Sequence, residues 1–310
     1  MDLILRNVLL QDNEPLVDIG VKDGKIVAIE PNLNAKAAEE IDGEGRVVIP
    51  GLVESHIHLD KALVADRKAN RSGTLWEALS VTAELKPTFT KEDIYDRAKR
   101  ALLMEIAAGT THLRAHSEFD PIGGFGGFEV TMALKQEFKH AIDIQVVAFP
   151  QEGIIKSPGT DKMMIQAMEA GADVVGGVPY VEPDPRKHID IIFEIAKKFD
   201  KDLDIHQDFF DNWENTTLEY LCDKTLAEGY VGRVSVGHLT ALGALTPEQA
   251  KPIIEKMAQC EMNVMPLPAT DLHLGGRKDQ GNVRRALAPI RALRDSGVNV
   301  CIGSNNIRNA

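Results

Sequence analysis

"PGLVESHIHLDK", residues 50–61, carries two histidines one residue apart at the end of an apolar run. On a strand, residues i and i+2 point to the same side, so His56 and His58 would aim both imidazoles into one cavity. The pattern is short and also fits a surface strand that happens to carry two histidines. The flanking chain has to decide between them.

Upstream, residues 1–49 read as β-structure. "VDIGVKDGKIVAI" holds two alternating runs joined by Asp23-Gly24, a strong two-residue hairpin signal. Downstream the rhythm changes to short β-branched runs alternating with helical patterns, the mark of repeated β/α units and a parallel sheet. The candidate strands are "RVVIPGLVESHIH", "THLRAHSE", "IDIQVVAFPQ", "ADVVGGVPY", "LDIHQD", "VSVGHLT", "MNVMPLPAT" and "VNVCIGSNN". Between the first two lies "TKEDIYDRAKRALLMEIAAG", with Thr90 as N-cap, Asp93 three residues on and Gly109 at the end. Eight strands with intervening helices predict an α/β fold, a (β/α)8 TIM-like barrel, with its active site at the C-terminal ends of the strands.

Composition narrows the function classes. A chain of 310 residues with 44% hydrophobic and 26% charged content is that of a globular protein with a large core. The formal charge of −12 argues against nucleic acid as a partner. No run approaches a membrane span, and Asp2 and Arg6 interrupt the only apolar stretch at the N-terminus, so no secretory signal is expected. Cys222, Cys260 and Cys301 form no CxxC pair and read as reduced, buried thiols in a cytoplasmic protein.

The polar residues fall at the strand ends. His56 and His58 end the first barrel strand, His116 the second, His206 the fifth and His238 the sixth. Gln151 follows the third, and Ser304, Asn305 and Asn306 end the eighth. Nine histidines placed at random would not favour strand ends so consistently. Zinc and ferrous iron both take imidazole nitrogen and use an open position to activate water. His56, His58 and His206 are the candidate ligands, and His238 suits orienting water or polarising a substrate. His116 is left open between support of the ligands and plain packing.

The His-x-His entry strand after a small β-domain resembles the amidohydrolase superfamily. More narrowly, "HIHLDK", "VVAFPQEG", "ADVVGGVP" and "VGHLTA" look like the cytosine deaminase branch, which includes cytosine and isocytosine deaminases and an isopropylammelide-type hydrolase. The resemblance implies one divalent metal ion, Zn2+ or Fe2+, on His56, His58 and His206, with His238 catalytic and Gln151 contacting the substrate. It implies a small heterocyclic substrate cut at a C–N bond by a metal-activated water, and it leaves homo-oligomerisation open. Two positions depart from the branch. In "HQDFF" Asp208 is kept, but Phe209 stands where a proton-shuttling glutamate is expected. In "GSNN" Asn305 stands where an aspartate ligates the metal and accepts a proton. An amide oxygen still ligates a metal but takes no proton near neutral pH. His238 and Asp208 are therefore the expected proton carriers. The alternative is a weak or inactive homologue that binds a small heterocyclic ligand.

The resemblance also implies domain bounds. Residues 1–49 would begin a small β-sandwich accessory domain and residues 50–310 would form the barrel. The family continues past the eighth strand with a helix and further strands of the β-domain, so a truncated chain is expected.

Overall fold

The computed structural model describes residues 1–11 and 14–309. The chain divides into two compact units, Met1–Gly51 and Leu52–Ala310.

In the first unit, β1 (Leu3–Val8), β2 (Val17–Lys22), β3 (Lys25–Glu30) and β4 (Glu39–Asp42) form one sheet in the order β3-β2-β1-β4. The hairpin falls where Asp23-Gly24 placed it: Lys22 pairs with Lys25, and both turn residues take positive φ, 51° and 70°. A sandwich was expected; the described residues supply a single layer. The run from Arg46 to His58 is likewise two pieces and not one strand. Val47 bridges to Leu9 in the first unit, and a new strand starts at Leu52. Pro50 lies between them, a residue with no N–H to offer a ladder.

The second unit has eight parallel strands in sequence order: β5 (Leu52–Ile57), β6 (Thr110–Glu118), β7 (Asp143–Phe149), β8 (Val174–Gly177), β9 (Leu203–Gln207), β10 (Val234–His238), β11 (Asn263–Met265) and β12 (Asn299–Val300). Past β12 the chain returns to the first strand, and Ile57 bridges Asn305 in parallel. The Asn305 amide donates to the His56 carbonyl at 2.8 Å, and the His58 amide to the Asn305 carbonyl at 3.1 Å. The fold is a TIM-like barrel, as the strand pattern predicted.

Nine helices among the described residues connect the strands: α1 (Leu75–Leu85), α2 (Lys91–Ala107), α3 (Gly126–Glu137), α4 (Thr160–Glu169), α5 (Pro185–Phe199), α6 (Leu218–Ala227), α7 (Pro247–Gln259), α8 (Pro268–Leu274) and α9 (Ile290–Asp295). Their ends follow local chemistry. Thr90 caps α2 by accepting from the Asp93 amide, and Thr246 and Gln249 close a capping box on α7. The longer connecting helices set an apolar stripe against the strands, as Ile94, Ala98, Ala101 and Leu102 do on α2. No described helix is long and apolar enough to cross a membrane.

The strand period of two sorts the barrel. Leu113 and Ala115 of β6, Leu203 and Ile205 of β9, and Val234 and Val236 of β10 join the core shared with the helices. Their neighbours Arg114, His116, Asp204, His206 and Ser235 belong to the opposite face, the barrel interior. His238 falls in the register of Val234 and Val236 and joins the interior only because its backbone leaves the strand at φ 66°, bringing its ring within 5.2 Å of that of His206. The hydrophobic core is thus the ring between strands and helices, and the interior is polar. Cys222 and Cys260 are buried free thiols, whereas Cys301 is only half-buried. It follows β12 and lines a cavity at the N-terminal strand ends with Glu54, Arg114 and Ser235.

Candidate metal centre

His56 and His58 arrive together on the end of β5, and His206 enters from β9 across the barrel. One potential ligand atom from each lies within 4.8 Å of the others. The Nε2 atoms of His58 and His206 are 3.1 Å apart, close to the roughly 3.4 Å that separates two nitrogens bound tetrahedrally to one zinc ion. Gly237 on β10 makes room for this: a Cβ there would stand 3.1 Å from Cε1 of His56.

The rings are buried, yet most of their nitrogens have no protein partner. Both nitrogens of His56 and the Nδ1 atoms of His58 and His206 are orphaned, as is Oδ1 of Asn305. Buried polar atoms are ordinarily satisfied, so this concentration marks a place built for something the chain does not supply. Burial, followed by the neighbouring histidines and Lys61, pushes the His56 and His58 imidazoles well below their usual range; burial and the other histidines do the same to His206. Neutral imidazole is the form a metal takes. The residues present therefore fit a divalent metal with nitrogen ligands and one amide oxygen.

A second group, His56, His116 and Asp204, also lies within reach of a common point. Its chemistry differs. His116 Nε2 pairs with Asp204 Oδ1 at 3.0 Å, and Arg114 Nη1 donates to Asp204 Oδ2 at 2.8 Å. A guanidinium already neutralises that carboxylate, which disfavours a dication there. The His116 ring stacks on His56 with centroids 3.9 Å apart. This group lies against the first through that stack, so His116 packs directly on a candidate ligand.

His238 ends β10 with φ of 66°, and Leu239 follows with φ of 56°. Asp208 (43°) and Asn305 (61°) share this left-handed region, which non-glycine residues seldom adopt. Such strain gathers at functional sites, where the surrounding structure holds it. His238 Nδ1 lies 2.7 Å from Asp271 Oδ1, while the other Asp271 oxygen accepts from the Leu267 amide at 2.9 Å. With Nδ1 engaged, Nε2 is the nitrogen free to exchange a proton.

Asp271, on α8, was missed from the sequence; the only clue was a carboxylate soon after the seventh strand. Asp208, the other carboxylate expected near His238, is placed differently. Its carboxylate accepts from the amides of Thr217 and Leu218 at 3.0–3.2 Å and from the Thr217 hydroxyl, capping the start of α6. Burial pushes its carboxyl up to about 6, but it does not line the cavity. Phe209 does, with its ring parallel to the His238 imidazole at 4.0 Å.

That cavity, about 60 Å3, is bounded by His58, His206, His238, Gln151, Lys61 and Asn305 and covered by α1 through Leu75, Ala78, Leu79 and Thr82. Gln151 faces it with Lys61, whose Nζ donates to Gln151 Oε1 at 2.7 Å and leaves Nε2 of Gln151 without a partner. Lys61 is the second residue the sequence reading passed over, although it stands inside the opening motif. Larger cavities of about 430 and 530 Å3 lie beside Lys86 and at the N-terminal strand ends. The small one is where unsatisfied polar atoms converge.

A parallel (β/α)8 barrel with convergent histidines at the C-terminal strand ends has the architecture of the barrel hydrolases. Residues 93–308 match the amidohydrolase family, and the chain belongs to it: a hydrolase of carbon–nitrogen bonds other than peptide bonds. It is 28% identical to N-isopropylammelide isopropyl amidohydrolase of Pseudomonas sp. (strain ADP), over 99% of this chain and 75% of that protein. Pterin deaminase of Rhizobium rhizogenes is 28% identical over 94% of this chain and 67% of its own. The structure of 5-methylcytosine deaminase from Klebsiella pneumoniae, liganded with 5-fluorocytosine, superposes with a TM-score of 0.91 at 31% identity, over 99% of this chain and 75% of that one. These relatives fall in the cytosine deaminase-like branch that the sequence motifs suggested.

Proposed function

We propose that the protein is a metal-dependent hydrolase that cleaves a C–N bond of a small nitrogen heterocycle, in the manner of cytosine deaminase. One observation carries the reading: His58 and His206, which with His56 form a cluster of buried, partnerless imidazole nitrogens, line one cavity with His238, itself held by Asp271, and with the Lys61–Gln151 pair. Relatives named for deamination of 5-methylcytosine and pterin, and for action on N-isopropylammelide, support the substrate class.

His56, His58 and His206, with Asn305 Oδ1, would hold the metal, zinc or ferrous iron. When bound, the metal supplies Lewis acidity that makes water nucleophilic at neutral pH. The remaining work belongs to the chain. Asn305 takes no proton and Phe209 supplies none, so His238 both accepts a proton through Nε2 and returns it to the leaving nitrogen. Asp271 holds the His238 tautomer and stabilises the imidazolium between those two events. Lys61 donates to a ring carbonyl, and the Gln151 amide reads the adjoining ring edge. Phe209 keeps one face of His238 dry.

The test is metal analysis of purified protein together with an ammonia- and amine-release screen over aminated and alkylaminated pyrimidines, triazines and pterins. About one metal ion per chain and turnover of at least one ring are expected. A metal-loaded protein that binds such rings and releases no amine from any of them would mean a ligand-binding homologue.

A further inference from the structure

Lys86 lies outside the cavity yet is buried among carboxylates. It follows α1 directly, and its Nζ meets Glu118 Oε2 at 3.2 Å, Asp120 Oδ2 at 3.1 Å and Glu152 Oε1 at 2.7 Å. One neighbour is shared: Glu118 Oε2 is also 3.8 Å from Lys61 Nζ. Glu152 is the residue after Gln151, so consecutive side chains point to two lysines, Gln151 to Lys61 and Glu152 to Lys86. Asp60 completes the group by accepting from the Glu118 amide at 2.7 Å. Three carboxylates thus meet Lys86, and one of them, Glu118, also lies near Lys61. Burial alone would lower the Lys86 ammonium, but Glu118, Glu152 and Asp120 outweigh it and hold it well above its usual range.

We infer that Lys86 is a positioning residue: by neutralising Glu118 and tethering Glu152 it keeps the Lys61–Gln151 pair set for the substrate ring, and it pins α1 over the cavity. The physical cause is competition for Lys61. With Lys86 present, Glu118 has a closer cation at 3.2 Å than Lys61 at 3.8 Å, and Lys61 is free to donate to a neutral amide. Without it, Lys61 becomes the nearest counter-charge for Glu118 and leaves Gln151. A buried carboxylate draws a neighbouring ammonium far more strongly than an amide oxygen does. Lys86 also anchors the C-terminal end of α1, whose Leu75, Ala78, Leu79 and Thr82 cover the cavity.

The structural arm of the test needs no substrate. In a crystal structure of full-length Lys86→Met, Lys61 Nζ is expected to turn to Glu118 and stand beyond hydrogen-bonding distance of Gln151 Oε1; an unchanged Lys61–Gln151 pair overturns the inference. The kinetic arm rests on the proposed function and uses whichever ring the screen turns over. KM of Lys86→Met should rise about tenfold, the scale of one lost charge-assisted hydrogen bond, with kcat within about threefold and metal content unchanged. Lys86→Arg should restore KM. In a Gln151→Ala background Lys86→Met should add little, because both act on one contact; full additivity means a merely structural role and overturns the inference. If Lys86→Met does not fold, Lys86→Gln, which keeps a polar end for Asp120 and Glu152 but removes the charge, carries both arms, with a KM rise of about threefold or more expected and an unmoved KM and Lys61 overturning it. Failure of every ring to turn over defeats the functional reading and leaves the crystal structure to decide this one.

Discussion

On β9, two residues apart and on one face, Asp204 and His206 have opposite fates. Asp204 is fully buried with its charge met twice, by Arg114 at 2.8 Å and by His116 at 3.0 Å. His206 is equally enclosed, but its Nδ1 meets nothing and its Nε2 meets only another histidine. The contrast extends round the barrel. The lower layer, Arg114, His116 and Asp204, is joined through both oxygens of Asp204, by an ion pair to Arg114 and a hydrogen bond to His116, although His116 Nδ1 has no partner. The upper layer of His58, His206 and Asn305 is a set of orphaned atoms above it, with His56 stacked between the two. A network whose charges are met rigidifies; a cluster of orphaned atoms held in place by it is ready to bind. The lower layer should therefore govern stability and the upper layer chemistry.

The largest effect should come from breaking the upper layer. His206→Ala is expected to lose nearly all bound metal and to lower kcat/KM by about 10^3-fold or more, the scale of losing a Lewis acid and its water. Folding, followed by circular dichroism, should be preserved. Metal content equal to wild type would mean that His206 is not a ligand.

Next comes Asp271→Asn, which leaves the metal in place and disturbs only the proton carrier. A fall in kcat of about 10^2–10^4 is expected, the range for general acid–base groups. Asp208→Asn should instead cost mainly stability, read as a lower denaturation midpoint with near-normal kcat. A reversal of the two phenotypes would restore Asp208 as the proton carrier.

Breaking the lower layer should invert the readout. Asp204→Ala leaves Arg114 and His116 without their shared partner, and roughly 3–5 kcal/mol of stability should be lost. The fraction that folds should still take up metal. If that fraction is metal-free while its stability is unchanged, Asp204 belongs with the ligands, and the division into two layers fails.

The smallest effect sharpens the comparison by adding to the upper layer. Asn305→Asp places an anion where an amide oxygen now lacks a partner, and metal affinity should rise about tenfold or more. Combined with Phe209→Glu it should create or raise activity toward cytosine or isocytosine, with each single change giving little. Because the Phe209 ring lies flat on His238, its replacement also exposes that imidazole to water. A folded, metal-loaded double variant that releases no ammonia would show that the pocket favours another ring.

Legibility in the sequence followed the range of the interaction. The eight strands, the Asp23-Gly24 hairpin and the α2 cap at Thr90 could be read because periodicity and turn chemistry act over a few residues. The convergence of His56, His58 and His206 was also within reach, since a barrel sends every strand end to one face. Other features were decided only by tertiary packing. Asp208 and Asp271 are alike in sequence, each a carboxylate just past a strand. Backbone amides at the start of α6 claim the first, and His238 takes the second at 2.7 Å. Lys61 and Lys86 are 25 residues apart, and only the folded ends of β6 and β7 bring Glu118 between them. Local pattern places backbone and aims side chains. Which partner each buried charge finds is a matter of long-range electrostatics, and that is settled only once the barrel has closed.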